Sequence, residues 1–233
     1  MSDQTSTAFT QALAAHGIEL EPGDLDRLAH YLRLLYEANE QMNLTAVPRG
    51  DDAWMRHIFD SLTLLPLMQQ SEARTVVDVG SGGGVPGLVL ACVLPSVEFT
   101  LVESVGKKAR FLEASASALG CANVRVRQVR AETLGAGDLR ECIDCVVSRA
   151  VARLPILLEY CLPMVRTGGL FVAIKGEQAA AEVAASTHAL GELRGVVVDQ
   201  ARTPTGTLVV VEKTGKTPRR YPRAAGEPQR SPL

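Results

Sequence analysis

The sequence predicts an α/β fold: a mostly parallel sheet that ends in an antiparallel hairpin, with helices ahead of it. Three observations predict this. From Arg74 onward, short apolar runs alternate with helical stretches, as in a parallel sheet with crossover helices. The first of these runs ends in a cluster of glycines, which lets a chain turn sharply from strand into helix. The last two runs are separated only by residues 202–207, too few for a crossover helix, so they pair antiparallel.

The elements follow in order. Residues ahead of Arg74 show no strand pattern. Phe9, Leu13, Ile18 and Leu20 mark one short helix and its exit. Pro22-Gly23-Asp24 reads as a helix start, and Leu25, Leu28, Leu32 and Leu35 recur at helical spacing up to Asn39. A third helix is expected over 51–67, with Trp54, Ile58, Leu62 and Leu65 on its apolar face. Residues 1–70 are therefore expected to form a helical cap. Residues 71–213 are expected to form the sheet domain, with strands over 75–79, 98–102, 124–129, 144–148, 170–175, 196–201 and 208–213. Residues 214–233 lose periodicity and carry Pro218, Pro222, Pro228 and Pro232, so they read as a basic, proline-rich tail.

Bulk properties narrow the function classes. A chain of 233 residues, 46% of them hydrophobic, can bury a core without disulfides or metals. A net charge of −2 excludes a uniformly basic nucleic-acid binder and leaves only local patches. One such patch starts at Lys213, with six basic residues against Glu227 alone. Five scattered cysteines suggest a reducing compartment. Cys142 and Cys145 form a C-x-x-C, but zinc would want a second pair or nearby histidines, so they read as small buried hydrophobes and no metal is expected. No apolar run reaches the roughly 20 residues of a membrane helix, and no secretion signal is evident, so a cytoplasmic location is expected.

The most informative stretch runs Thr75-Val-Val-Asp-Val-Gly-Ser-Gly-Gly-Gly-Val-Pro-Gly87. A strand ends in glycines, and a helix starts near Pro86. Ligands of open parallel sheets sit at the carboxyl ends of strands, where this loop falls. Gly82-x-Gly84-x-x-Gly87 also matches the dinucleotide fingerprint, so NAD or another nucleotide is a competing ligand. Three features favour S-adenosylmethionine (AdoMet) and a class I AdoMet-dependent methyltransferase fold. Asp78 lies two residues before the first glycine, no separate substrate domain follows, and the terminal hairpin suits that fold. Asp78, Gly80, Gly82 and Gly84 are the candidate cofactor residues. Glu103 ends the second strand, where a carboxylate can accept hydrogen bonds from both ribose hydroxyls. Ala131 and Glu132, in Arg130-Ala131-Glu132, fall where an adenine-contacting loop is expected. Arg149, in Ser148-Arg149-Ala150, would face the methyl group and the substrate.

These residues carry a resemblance to a known family. Asn43-Leu-Thr, His57-Ile-Phe-Asp-Ser-Leu62, the glycine loop, Glu103-Ser-Val-Gly-Lys-Lys108, Arg130-Ala-Glu132, Ser148-Arg-Ala150, Lys175-Gly176 and the tail from Arg220 resemble the bacterial small-subunit ribosomal RNA methyltransferase G family, also called glucose-inhibited division protein B. The likeness spans about 39–233. The glycine loop is common to many methyltransferases; His57…Asp60-Ser-Leu together with Ser-Arg-Ala is far more specific. The resemblance implies a methyltransferase domain with an N-terminal helical cap. It also implies methylation of N7 of one guanine in 16S ribosomal RNA, near the decoding centre, with AdoMet as donor. The family often has a bulky apolar residue where this chain has Val85, which implies a slightly looser adenosine contact and the same cofactor.

Guanine N7 carries an in-plane lone pair and no proton, so it can attack without a general base, and positioning should supply most of the rate. Arg149 is the candidate positioning residue. Candidates for holding the RNA are Asn43 and His57 in the cap, Lys107 and Lys108 at a helix start, Lys175, and Arg219, Arg220 and Arg223 in the tail. Capping, packing or a solvated face competes with each of these readings. Removing the tail is expected to leave the cofactor site intact and to weaken RNA binding. The expected partner is 16S ribosomal RNA or a small-subunit particle, met by a monomer. A small-molecule or protein methyltransferase on the same fold is the alternative.

Overall fold

Apolar residues at helical spacing build the first layer, in a computed structural model that describes residues 7–233. Residues 1–6, the start of the expected cap, lie outside the described residues. Helix α1 (Thr7–Ala15) buries Phe9. Helix α2 (Asp24–Met42) buries Leu28, Tyr31, Leu32, Leu35 and Tyr36, the stripe of an amphipathic helix. Asn43 ends it in the left-handed conformation, φ 52°. The Asn39 side-chain oxygen then accepts from the Leu44 and Thr45 N–H groups at 2.6 and 2.8 Å.

The third helix departs from the regular form expected. It is α3 (Asp51–Ala53), a π-helical turn (Trp54–Phe59) and α4 (Asp60–Leu62), with α5 (Leu65–Gln70) following. Trp54, Ile58, Leu62 and Leu65 are buried, as their spacing predicts. So are His57, Phe59, Asp60 and Ser61. A regular amphipathic helix turns one stripe inward; the wider π turn brings these additional residues in as well.

Strands β1 (Thr75–Val79), β2 (Glu98–Val102), β3 (Val124–Arg127), β4 (Ile143–Arg149), β5 (Val165–Lys175), β6 (Gly195–Thr203) and β7 (Gly206–Lys213) form one sheet in the order β3-β2-β1-β4-β5-β7-β6. The first five pair parallel, and β7 inserts antiparallel between β5 and β6, with Phe171 opposite Val211. β5 begins earlier than its apolar run suggests, because Val165–Gly169 is polar and glycine-rich and passes a register shift opposite β4. β3 stops at Arg127, short of the expected 129.

Successive side chains of a strand face opposite sides, and β1 divides accordingly. Val76 joins one core with Leu88 of α6 (Gly87–Val93), Leu112 of α7 (Gly106–Ala118) and the buried residues of α1 to α5. Val77 and Val79 join a second core with α8 (Ala131–Ala136), α9 (Leu154–Cys161), α10 (Ala179–Ala184) and α11 (Thr187–Leu193). No helix among the described residues is long and apolar enough to cross a membrane. Of the five cysteines, all free, four are buried as expected, but Cys142 is exposed.

The aperiodic end of the chain, with α12 (Glu227–Arg230), docks on the second face. Lys213 is fully buried, donating to Leu162 O at 2.7 Å and Thr217 Oγ1 at 2.6 Å, and this burial lowers its pKa to about 8. Arg140 donates to the carbonyls of Thr217 and Tyr221, each at 2.8 Å. Arg223 pairs with the fully buried Glu159, its Nη2 at 2.5 Å and Nε at 2.9 Å. The segment lacks periodicity because backbone bonds and ion pairs hold it, not an apolar stripe.

Candidate active site

The strand order reverses between β1 and β4, and ligands of such sheets bind at that switch point, beyond the carboxyl ends of the strands. The sequence puts its informative residues there: the glycine loop after β1, Glu103 after β2, Ala131 and Glu132 after β3, and Arg149 at the end of β4.

The loop's shape needs glycine. Gly80, Gly82 and Gly84 have φ of 74°, 53° and 97°, in the left-handed region that side chains disfavour. Gly80 and Ser81 N–H groups donate to Val102 O, tying the loop to β2. A Cβ at Gly82 would meet only Gly80 O, at 3.7 Å, so its surface is open to a ligand. Gly87 is needed for a different reason: a Cβ there would lie 2.6 Å from that of Asp78.

Asp78 lies beneath the loop, fully buried, and its Oδ2 accepts from the Gly87 N–H at 3.0 Å. It thereby holds the first turn of α6 in place. Burial pushes its pKa up to about 7 against that hydrogen bond. Its Oδ1 has no partner among the described residues. Tyr31 on α2 donates to Gly83 O at 2.9 Å, which fastens the helical layer to the loop. Val85 packs, half-buried, against the core on that side and is not part of the cavity lining.

Glu103 accepts from the Gly82 N–H at 3.1 Å and the Val105 N–H at 2.8 Å. It lines a cavity of about 80 Å³ with Gly80, Ser104, Ala131, Glu132, Val151 and Tyr160. The donor set fits an adenosine: a carboxylate with spare lone pairs for ribose hydroxyls, apolar walls and an open glycine backbone. The volume is below the roughly 300–1,000 Å³ of ligand sites. Val151 narrows it, with a methyl that would lie 2.4 Å from a Cβ on Gly80. Val151 and Tyr160 give no sign of this place in the sequence, where they read as ordinary apolar residues.

Arg149 lies on the other side of the same loop. With Ala150, Arg56, Asp60, Lys175 and Glu182 it lines a second cavity, of about 310 Å³. Its guanidinium donates to Arg56 O and lies 3.9 Å from Asp60 Oδ2. Residues 149–151 are thus a partition, with Arg149 and Ala150 facing one cavity and Val151 the other. Ala150 holds the strained φ of 55° that makes the turn. Burial raises the Asp60 pKa to about 6, opposed by Arg149. Burial and Arg149 lower that of His57 to about 4. His57 Nε2 shares a 2.8 Å hydrogen bond with Thr45 Oγ1, while His57 Nδ1 and Asp60 Oδ1 lack partners among the described residues.

The other residues singled out by sequence scatter. Asn43 is an exposed helix C-cap. Lys107 is exposed and Lys108 half-buried in the first turn of α7. Lys175 faces the second cavity but is held by Glu182 at 2.8 Å and Ala152 O at 2.9 Å. Arg219 is exposed, Arg220 pairs with Glu192, and Arg223 is held by Glu159. The basic tail therefore offers fewer free cations than its sequence implies.

Comparison with known proteins places this geometry in context. Residues 24–203 match the family profile described as rRNA small subunit methyltransferase G. Among curated proteins, the ribosomal RNA small subunit methyltransferase G of Sorangium cellulosum is 45% identical over 92% of this chain and 90% of its own length. That of Lactobacillus johnsonii is 39% identical over 97% and 98%. Among solved structures, an O-methyltransferase from Bacillus cereus in complex with SAH superposes with a TM-score of 0.61 at 18% identity, covering 89% of this chain and 98% of that one. The Streptomyces achromogenes O-methyltransferase TomG, in complex with SAM, gives 0.60 at 15% identity, over 88% and 96%. These two likenesses show the fold, that of class I AdoMet-dependent methyltransferases.

Proposed function

The chain belongs to the rRNA small subunit methyltransferase G family, and we propose that it transfers a methyl group from AdoMet to N7 of one guanine in 16S ribosomal RNA, near the decoding centre. The observation that carries this reading is the partition at 149–151, with donors suited to a nucleoside on one side and a polar cavity on the other.

Glu103 would hold the ribose hydroxyls, Ala131 and Glu132 the adenine side, and the Gly80–Gly84 backbone the amino-acid end. Asp78 acts through the loop it anchors. AdoMet, when bound, supplies a methyl group on a sulfonium. The chain's work is then to bring N7 in line with it and to exclude water, because N7 has no proton to remove. Arg149 fixes the acceptor beside the partition. His57, with its lowered pKa, stays neutral near pH 7 and braces the cap through Thr45.

A ribosomal substrate puts the work in the cytoplasm. Tritium transfer from labelled AdoMet tests the reading. Small-subunit particles from cells lacking the protein should accept label in 16S RNA, and Gly82→Val, strained at φ 53° and filling the ligand face, should abolish it. Label passing only to protein or to small molecules would overturn it.

A further inference from the structure

We infer that the single-stranded RNA flanking the target guanine runs through a groove between the π-helical turn and the tip of the β6–β7 hairpin, gripped by Arg56 and Arg202. This rests on the functional reading above and extends it to a surface.

The acceptor cavity does not end at Arg149. It opens into a groove of about 590 Å³ that shares Arg56, Gly176, Glu177 and Thr205 with it. The groove runs out to Arg202, which pairs across the hairpin with Thr207. A path therefore leads from the partition at the methyl donor to the edge of the sheet. An extruded base fits the inner cavity, near the lower end of ligand-site volumes, and its neighbours lie along the outer groove.

Charge selects the partner. Of the cations on this path, Lys175 is neutralised by Glu182, and Arg149 is engaged by Asp60 and Arg56 O. Arg56 and Arg202 are exposed, and neither has a carboxylate within ion-pair distance among the described residues. The exposed acid here is Glu177. The groove is thus weakly positive on a chain whose net charge is −2. No aromatic residue lines either cavity. Bases would stack on guanidinium planes, which also bind phosphate in a bidentate fashion. The rival surface, the C-terminal segment, has Arg220 and Arg223 already paired with carboxylates.

The test uses the full-length chain with Arg56→Ala, Arg202→Glu and, as a charge-matched control, Arg194→Glu. Arg194 precedes the opposite end of the same strand, about 26 Å away at roughly 3.3 Å per residue. Binding of 16S RNA is measured separately from methyl transfer. Arg56→Ala and Arg202→Glu should weaken RNA binding and raise KM for the particle, Arg202→Glu at least tenfold. The slope of log affinity against log salt should flatten by about 0.7–0.9 per lost contact. AdoMet affinity should stay within about twofold, because neither residue lines the cofactor cavity, and Arg194→Glu should match wild type. Unchanged RNA affinity and salt slope in both groove variants would overturn the proposal, as would an equal loss in Arg194→Glu. Groove-dependent RNA binding without guanine-N7 methylation would sustain the groove and contradict only the functional reading.

Discussion

Glu103 is bound at both oxygens by backbone N–H groups, from Gly82 and Val105, so it shapes the glycine loop as well as facing the cavity. Glu103→Gln would set an NH2 against one of those donors and remove the charge from the proposed ribose contacts. Losing a charge-assisted bond costs about 1.5–3 kcal/mol. AdoMet affinity, measured by calorimetry, should fall roughly tenfold or more; affinity equal to wild type would remove Glu103 from the site. Asp78 gives a test by pH. Its carboxyl ionises near 3.8 in an unfolded chain and near 7 when folded. Its stabilising contribution is therefore full below the lower value and lost as pH rises through the higher one. Asp78→Asn keeps an acceptor for Gly87 and loses that dependence. Relative to wild type, its Tm should improve by several degrees between about pH 5 and pH 8.5. The opposite trend at His57, whose folded pKa is lowered, is common to both proteins and cancels. A Tm difference independent of pH would show that Asp78 is not held in its neutral form.

The C-terminal segment shows where sequence patterns stop being informative at the level of elements. Its basic, proline-rich composition reads as a tail that leaves the cofactor site alone. In the structure Gly226 N–H donates to Glu132, a residue lining the Glu103 cavity, at 2.8 Å, and Arg223 neutralises Glu159, next to the cavity residue Tyr160. Ending the chain after Thr214 should therefore weaken AdoMet binding, the reverse of the sequence expectation. Arg223→Met leaves a buried carboxylate unpaired, and such losses cost about 3–5 kcal/mol. A fall in unfolding free energy of that order, read from denaturant titration, is expected; an unchanged midpoint would mean that the pair carries no stability. No periodicity could announce these contacts, because single long-range bonds leave no repeat in a sequence. The π turn at Trp54–Phe59 is hidden for a related reason: one irregular turn leaves the spacing of Trp54, Ile58 and Leu62 intact while bringing His57 and Asp60 inward. Most strands were legible as short runs rich in apolar residues bounded by turn residues, and the parallel order of the first five follows from the helices between them.

For the whole molecule, the sheet's switch point explains why residues distant in sequence converge. Gly80, Glu103 and Arg149 each sit just at or beyond a strand's carboxyl end, so locating the strands located them. What the strand pattern could not reveal is the layout of the two cavities, which depends on how loop 149–151 folds between them, how α2 fastens the glycine loop and how the π turn holds Arg149. Fold alone leaves the acceptor open; the partition, the polar inner cavity and the groove to Arg202 favour an extruded base over a freely diffusing small molecule. The central claim is therefore about a base and an atom, and one measurement addresses it directly. Particles from cells lacking this protein are incubated with it and AdoMet, and the 16S RNA is then treated with borohydride and aniline, which cleave at N7-methylguanine. The account predicts one new cleavage, at a guanine near the decoding centre, dependent on AdoMet and lost with Gly82→Val. Methyl incorporation into that RNA without a new cleavage, or cleavage at many guanines, would contradict it.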